Sequence, residues 1–238
     1  VCWCRCFAVP WLTGREPRQV HGASSLRSGA GSFFLPFGND PAYCKGRSFL
    51  RGYGLWGAIN RFDPPWWLKR HPDQRLGFLI GHGEVLASET NRVTLSDRCD
   101  QFGVPMPMIS CRWGDNEKAM VTHMQGTIED CIGVAGGTPA SLPDLIHLPF
   151  VEPLIRGAIA VQEDSPPPGY YIHEVGGAPM GHSEQTSVVD AYNRLWRCRN
   201  VLVVDGACWP SSGWQSPTLT MMAITRRACL EALKPACG

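Results

Sequence analysis

Three short stretches toward the C-terminal end carry residue types suited to catalysis. His173 lies in Tyr170-Tyr171-Ile172-His173-Glu174-Val175-Gly176-Gly177. Asp205-Gly206 closes the apolar run Val201-Leu202-Val203-Val204, and Ser216-Pro217 opens the last apolar segment. A histidine titrates near neutral pH, so His173 can take a hydroxyl proton while hydride leaves the adjoining carbon. An acid at the end of a buried-strand pattern stands where open α/β sheets bind ligands, and a glycine beside it allows close backbone approach. A helix beginning at Pro217 presents unpaired N–H groups and a partial positive charge. A base, a carboxylate and a positive helix end are the parts needed to hold an electron-poor cofactor against an alcohol.

Each stretch also has a plainer reading. His173 alone is a structural or exposed histidine, Asp205-Gly206 an ordinary Asp-Gly turn, and Ser216-Pro217 an ordinary capped helix start. Two further histidines carry less. His182 falls in the turn-like Met180-Gly181-His182-Ser183, and His123 lies beside a helical apolar stripe, as packing or surface.

The elements that must position these residues follow from the pattern. Phe33-Phe-Leu-Pro-Phe, Phe49 to Gly57, Gly77 to Gly81, Asn91 to Leu95 and Met106 to Cys111 predict short strands, with Ser96-Asp97 as a polar turn. Short strands joined by short turns predict an antiparallel sheet. A helix follows from an N-cap at Asp115, with Met120, Val121, Met124, Ile128, Cys131 and Ile132 as its stripe and Gly133 and Gly136-Gly137 as its stop. Residues 138–169 hold seven prolines among apolar side chains and predict an irregular binding loop. Val201 to Val204 reads as a strand buried on both faces. The final helix is capped by Ser216, with Leu219, Met222, Ala223, Leu230 and Leu233 as its buried stripe.

The chain has 238 residues, enough for one large domain or two small ones. Lys+Arg 22 against Asp+Glu 21 gives no electrostatic case for nucleic acid or an anionic membrane. No apolar run approaches the ~20 residues of a membrane-spanning helix. The 11 cysteines are odd in number and lack any CxxC spacing, which argues against a disulfide framework and for buried packing. Cys2, Cys4 and Cys6 alternate without a histidine nearby in sequence, so no metal site is expected. The chain opens at Val1 without a basic, signal-like segment, and is expected to be a fragment.

Taken in order, Tyr171-Ile-His173-Glu-Val-Gly176-Gly177-Ala-Pro-Met180-Gly181, Ser187-Val-Val-Asp190, Asn200-Val-Leu-Val-Val-Asp205-Gly206-Ala207 and Pro217-Thr218-Leu219-Thr220 resemble the C-terminal signature of glucose–methanol–choline (GMC) oxidoreductases. Phe49-Leu-Arg-Gly-Tyr-Gly, Gly83-Glu84-Val-Leu, Asn91-Arg-Val-Thr-Leu and Cys111-Arg-Trp-Gly-Asp-Asn-Glu extend the resemblance upstream, to about Phe33. It implies an FAD-dependent enzyme oxidising the CH–OH group of a small alcohol or sugar, with hydride passing to the flavin, and leaves the electron acceptor open. It also implies an α/β fold. Residues 33–168 would form an α+β substrate domain with an antiparallel sheet. Residues 169–238 would be the closing segment of a Rossmann-like FAD-binding domain whose ADP-binding part is absent. Residues 1–32 are outside the resemblance and expected to be irregular. By the same resemblance His173 is the catalytic base. Asp205, Gly206 and Ala207 line the ribityl–pyrophosphate region, and Pro217, Thr218 and Leu219 start the helix that meets the flavin ring.

Two departures qualify these roles. The family has His or Asn where Ser216 stands, so Ser216 is a shorter, uncharged partner for the substrate oxygen, and alkoxide stabilisation is expected to be weaker. No strand–turn–helix carrying the dinucleotide-binding glycines is expected, since Ser28-Gly29-Ala30-Gly31-Ser32 fits neither the spacing nor a preceding strand. The expectation is therefore the C-terminal portion of a longer enzyme that binds FAD poorly by itself, with a non-catalytic remnant as the alternative.

Overall fold

The computed structural model describes residues 2–10, 31–35, 46–59, 65–70, 74–140, 168 and 172–234. The chain divides into two compact units. One is Val1–Gly83 with Gly114–Pro166, and the other is Glu84–Trp113 with Pro167–Gly238. This differs from a single linear division at residue 168, because residues 84–113 group with the C-terminal unit.

The first unit is built on a five-stranded sheet. Its strands are β1 (Cys2–Pro10), β2 (Gly31–Leu35), β3 (Tyr53–Ile59), β4 (Gln74–Gly83) and β7 (Thr138–Ala140), in the spatial order β2-β3-β4-β1-β7. Every neighbouring pair is antiparallel. β1 corrects the expectation of an irregular N-terminal region: Cys2 to Pro10 pair residue by residue with His82 to Gln74. Its partners on β4 lie some seventy positions away in sequence, so no local pattern gave a sign of it.

Helix α1 (Asp115–Val134) packs on this sheet. Its apolar stripe is the one the sequence predicts: Met120, Val121, Met124, Ile128 and Ile132 are buried together with Phe49, Tyr53, Leu55 and Leu79. The packing is close enough that a Cβ on Gly81 would stand 2.2 Å from Met124 Sδ. The cap lies one residue earlier than predicted, at Gly114, whose N–H donates to Glu117 Oε2 at 2.8 Å. Asp115 is the first helical residue and complements the helix dipole. Gly133 is helical, and the stop is made by Gly136 and Gly137. Gly136, at φ +71°, donates to Gly133 O, and Gly137 donates to Ile132 O. These two bonds are a Schellman ending, which needs a left-handed residue.

In the second unit, β5 (Arg92–Cys99) and β6 (Pro105–Ser110) form a hairpin. Ser96-Asp97 lies within β5 rather than at a turn. The reversal comes at Asp100, whose carboxylate accepts the Phe102 and Val104 N–H groups, followed by Gly103 at φ +77°. At the hairpin base Asn91 accepts the Arg112 N–H and donates to the Arg112 carbonyl. Helix α2 (Thr218–Ala232) closes the unit. Its outward side is the stripe expected to be buried, with Leu219 at 78% and Leu233 at 81% exposure. The inward side is Met221, Ile224 and Ala228, spaced three and four apart. Both faces are apolar at helical spacing, so periodicity could not choose between them. No described helix is long and apolar enough to cross a membrane.

The predicted loop at 138–169 lies mostly outside the described residues, apart from β7 and Pro168. Among the described cysteines Cys208 is buried and Cys131 half-buried, while Cys99, Cys111, Cys198 and Cys229 are exposed. Among these six described cysteines, burial is the exception.

Candidate functional site

The run 201–204 does not form a regular strand; only Leu202 makes an isolated bridge, to Arg194. Val203 instead pairs with one residue. Its N–H donates to Asn193 O, and Asn193 Nδ2 returns a bond to the Val203 carbonyl, both at 2.9 Å. Asn193 is fully buried at φ +70°, a conformation asparagine tolerates better than most residues. Arg227 on α2 reaches over to Asn193 Oδ1 and the Ala191 carbonyl. Sequence reasoning missed this bracket, and the turn residues Asp190 and Asn193 were the available signal.

Asp190 holds the same loop. Its carboxylate accepts the Tyr192 and Arg194 N–H groups at 2.8 and 3.0 Å and pairs with Arg199 at 2.9 Å. Burial pushes its pKa up, but the N–H groups and the Arg199 guanidinium outweigh it, and the net shift is downward.

Asp205 turns the chain. Its side chain accepts the Ala207 N–H at 2.9 Å and starts a 3-10 turn over Gly206–Cys208, while the residue stays exposed. The segment after His173 is laid against this turn. Gly176 donates to Gly206 O, Ala178 to Ala207 O and Met180 to Cys208 O, at 3.4, 2.8 and 2.8 Å. His173 is exposed and has φ +93°, a left-handed conformation that costs a non-glycine residue ~1–2 kcal/mol. Strain of this kind is retained where the surroundings over-determine it, as at functional sites.

α2 meets the same turn from the other side. A Cβ on Gly206 would stand 2.7 Å from Glu174 O and 3.0 Å from Met221 Cε. Thr225 Oγ1 donates to the Val204 carbonyl at 3.2 Å. One core holds all three stretches: Val175 from the His173 segment, Cys208 and Trp209 from the turn, and Met221 and Ile224 from α2. Burial pushes the Cys208 thiol up, and its Sγ–H donates to the Asp205 carbonyl, so it is a packing group rather than a nucleophile.

The helix start differs from the prediction. Pro217 is the N-cap, and Ser216 is exposed without capping. No side chain caps the helix, and Thr218, Leu219 and Thr220 are exposed in its first turn. The N-cap residue of α2 therefore gives its first N–H groups no side-chain acceptor. Ala207 is half-buried behind Asp205. His182 is exposed on its turn. His123 belongs to the first unit, bonded to Tyr53.

The arrangement supplies an exposed imidazole on a strained backbone, an exposed carboxylate on a turn that excludes a side chain at Gly206, and an uncapped helix N-terminus. The donors suit the electron-rich edge of a bound ring, and the carboxylate suits a sugar-type hydroxyl. By residue type these groups are compatible with the flavin and ribityl parts of FAD. Gly52-Tyr53-Gly54-Leu55-Trp56-Gly57 has the glycine spacing of a dinucleotide turn, but it runs along β3 and does not open a helix, so it is not such a turn.

A family model described as GMC oxidoreductase matches residues 87–225, more than half of the chain. The chain is 28% identical over 189 residues to a 2-methyl-1,2-propanediol dehydrogenase of Mycolicibacterium austroafricanum, covering 76% of this chain and 30% of that protein. That coverage exceeds what residues 87–238 alone can supply, so the similarity reaches upstream of the family match. It is 29% identical over 151 residues to the fructose dehydrogenase large subunit of Gluconobacter japonicus, covering 63% of this chain and 24% of the relative. It is 30% identical over 138 residues to a paromamine 6'-oxidase of Streptomyces fradiae, covering 58% and 22%. The chain spans less than a third of the length of each of these relatives.

Proposed function

The chain belongs to the GMC oxidoreductase family, and from that premise we propose that it serves an FAD-dependent oxidoreductase acting on the CH–OH group of an alcohol or sugar, with His173 as the base. The observation that carries this reading is the common core of Val175, Cys208, Trp209 and Met221, which gathers the His173 segment, the Asp205-Gly206 turn and the start of α2.

In this reading His173 accepts the hydroxyl proton at an imidazole nitrogen. The exposed Ser216 hydroxyl donates to the same substrate oxygen, as a weaker partner than a charged side chain. Asp205 would hold a ribityl hydroxyl, with Gly206 and Ala207 offering main chain beside it. The N–H groups following Pro217, on Thr218 and Leu219, would face the flavin. Bound FAD would supply the acceptor for the hydride. Relatives named for 2-methyl-1,2-propanediol, fructose and paromamine support the CH–OH class.

The test is His173→Ala in the flavin-loaded protein that carries this chain. General-base loss should lower kcat by about 10²-fold or more with flavin content retained. An undiminished kcat would remove His173 from the mechanism. A second reading, a non-catalytic chain, is favoured by Ser216, a short and uncharged partner for the substrate oxygen. Turnover of any alcohol that depends on His173 would exclude it.

A further inference from the structure

Among the described residues, Asp100, Asp190 and Asp205 each accept the main-chain N–H two residues on, from Phe102, Tyr192 and Ala207, at 2.8, 2.8 and 2.9 Å. The three turns differ in what surrounds the carboxyl. Asp190 is buried and paired with Arg199 at 2.9 Å. Asp100 is exposed, but Gln101 follows it, and its carboxylate accepts a second N–H, from Val104. Asp205 is exposed and is followed by Gly206. This is the single Asp-Gly of the sequence, which has no Asn-Gly.

A carboxyl oxygen that reaches the nitrogen two residues on must carry its carbon past the nitrogen of the next residue. At Asp205 the ψ of −168° leaves Cβ gauche to the Gly206 nitrogen. Gly206 has no Cβ to shield that nitrogen. Its N–H meets no acceptor among the described residues, so no hydrogen bond is broken when the proton leaves. The Ala207 N–H, already on Asp205 Oδ1, is placed to stabilise negative charge that develops on that oxygen, as oxyanion donors do. The turn therefore supplies a nucleophile, an electrophilic carbon beside it and a donor for the intermediate.

We propose that Asp205-Gly206 is a self-modification site, at which the Gly206 nitrogen attacks Asp205 Cγ to close a five-membered succinimide that opens to isoaspartate. With the carboxyl in its acid form, the N–Cγ bond forms and the bond from Cγ to the hydroxyl oxygen breaks. The hydroxyl leaves with the amide proton as water. A solvent water then adds to one of the two imide carbonyls. Addition at Cγ restores aspartate. Addition at the main-chain carbonyl breaks its bond to the Gly206 nitrogen, and the chain then runs through Cβ and Cγ. Water is the one co-reactant, and the exposed carboxyl gives it access.

Isoaspartate lengthens the main chain by one methylene. The Ala207 N–H loses its acceptor, and the Gly206 α-carbon leaves its close contact with Glu174 O and Met221. The modification is thus a slow disassembly of the turn that gathers the three stretches. It needs no flavin and stands apart from the oxidoreductase reading.

The test is incubation of the chain near neutral pH in heavy-oxygen water, native and in parallel unfolded in urea, followed by peptide mass mapping. Each opening of the succinimide leaves one heavy oxygen at residue 205, and backbone fragmentation separates isoaspartate from aspartate. Label and isoaspartate should accumulate at Asp205 in the native chain faster than in the unfolded one by about threefold or more, the worth of one hydrogen bond to the reacting oxygen. Asp100 and Asp190 should stay unlabelled. Asp205→Glu keeps the carboxylate but would need a six-membered ring, and should abolish the label on its peptide. A native rate that does not exceed the unfolded rate, or labelling of Asp100 or Asp190 as fast as Asp205, would overturn the proposal.

Discussion

The main-chain oxygen of Glu174 lies 2.7 Å from where a Cβ on Gly206 would stand. The residue after the candidate base therefore rests directly on the backbone of the Asp205 turn, and only glycine leaves room for it. Met221 of α2 closes on the same point at 3.0 Å. Contact at one α-carbon sets the spacing of all three functional stretches.

Gly206→Ala should separate them. A methyl group facing a main-chain oxygen cannot be absorbed by a rotamer change, so the His173 segment or α2 must move. Overpacking of this kind costs ~1–3 kcal/mol. The expected result is a lower denaturation midpoint with unchanged slope, and a kcat loss in the flavin-loaded protein larger than the change in KM. Unaltered stability would mean that the three segments are not in register at Gly206.

His173→Gly should do the opposite to stability. At φ +93° a glycine carries no Cβ penalty, and relieving it is worth ~1 kcal/mol before the greater entropy of unfolded glycine is subtracted. The variant should match or exceed the parent in urea while losing turnover as His173→Ala does. A glycine variant clearly less stable than the alanine variant would show that the left-handed backbone is not what His173 costs the fold.

Much of this was legible in the sequence, for stated reasons. The α1 stripe was readable because only one of its faces is apolar, so period and burial agree. α2 misled because Leu219 and Leu233 obey the same period as Met221 and Ile224, and only tertiary packing distinguishes the two sides. The Val201–Val204 run has strand composition, yet Asn193 and the Thr225 side chain on α2 take hydrogen bonds of its carbonyls. β1 went unseen because its pairing with β4 depends on residues some seventy positions away. Within the candidate site, residue types and order singled out His173, Asp205 and Pro217 as candidates. The left-handed φ of His173 and the crowding at Gly206 are tertiary facts that no local pattern encodes.

Asp190 should govern part of the acid sensitivity of the second unit. Its folded pKa is depressed, because the Tyr192 and Arg194 N–H groups and Arg199 outweigh burial. A depressed carboxylate contributes stability that is fully present above its unfolded pKa of about 3.9 and is lost as pH falls through the lower folded value. Asp190→Asn should lower stability at pH 7 by ~1.5–3 kcal/mol, the range for hydrogen bonds to a charged group. It should also flatten the acid limb below about pH 4. Parallel acid limbs in parent and variant would place the sensitivity elsewhere.

Tyr53 should show how far α1 depends on one buried hydroxyl. Thr127 Oγ1 donates to the His123 carbonyl at 3.0 Å, so its oxygen is left to accept from the Tyr53 hydroxyl at 2.6 Å. The Tyr53 oxygen is then left to accept from His123 Nδ1 at 2.7 Å, which fixes the proton on that nitrogen. Burial raises the Tyr53 pKa, and burial followed by the Arg47 charge lowers that of His123. With a folded histidine pKa below the unfolded value, stability falls as pH drops from about 6.5 through the folded pKa. Tyr53→Phe removes both hydroxyl bonds and keeps the ring, and should cost ~1–2 kcal/mol by chemical denaturation. The His123 nitrogen shifts in the parent should report a protonated Nδ1 near neutral pH, and in Tyr53→Phe a mixture of tautomers. A mixture already present in the parent would break the chain of bonds deduced here.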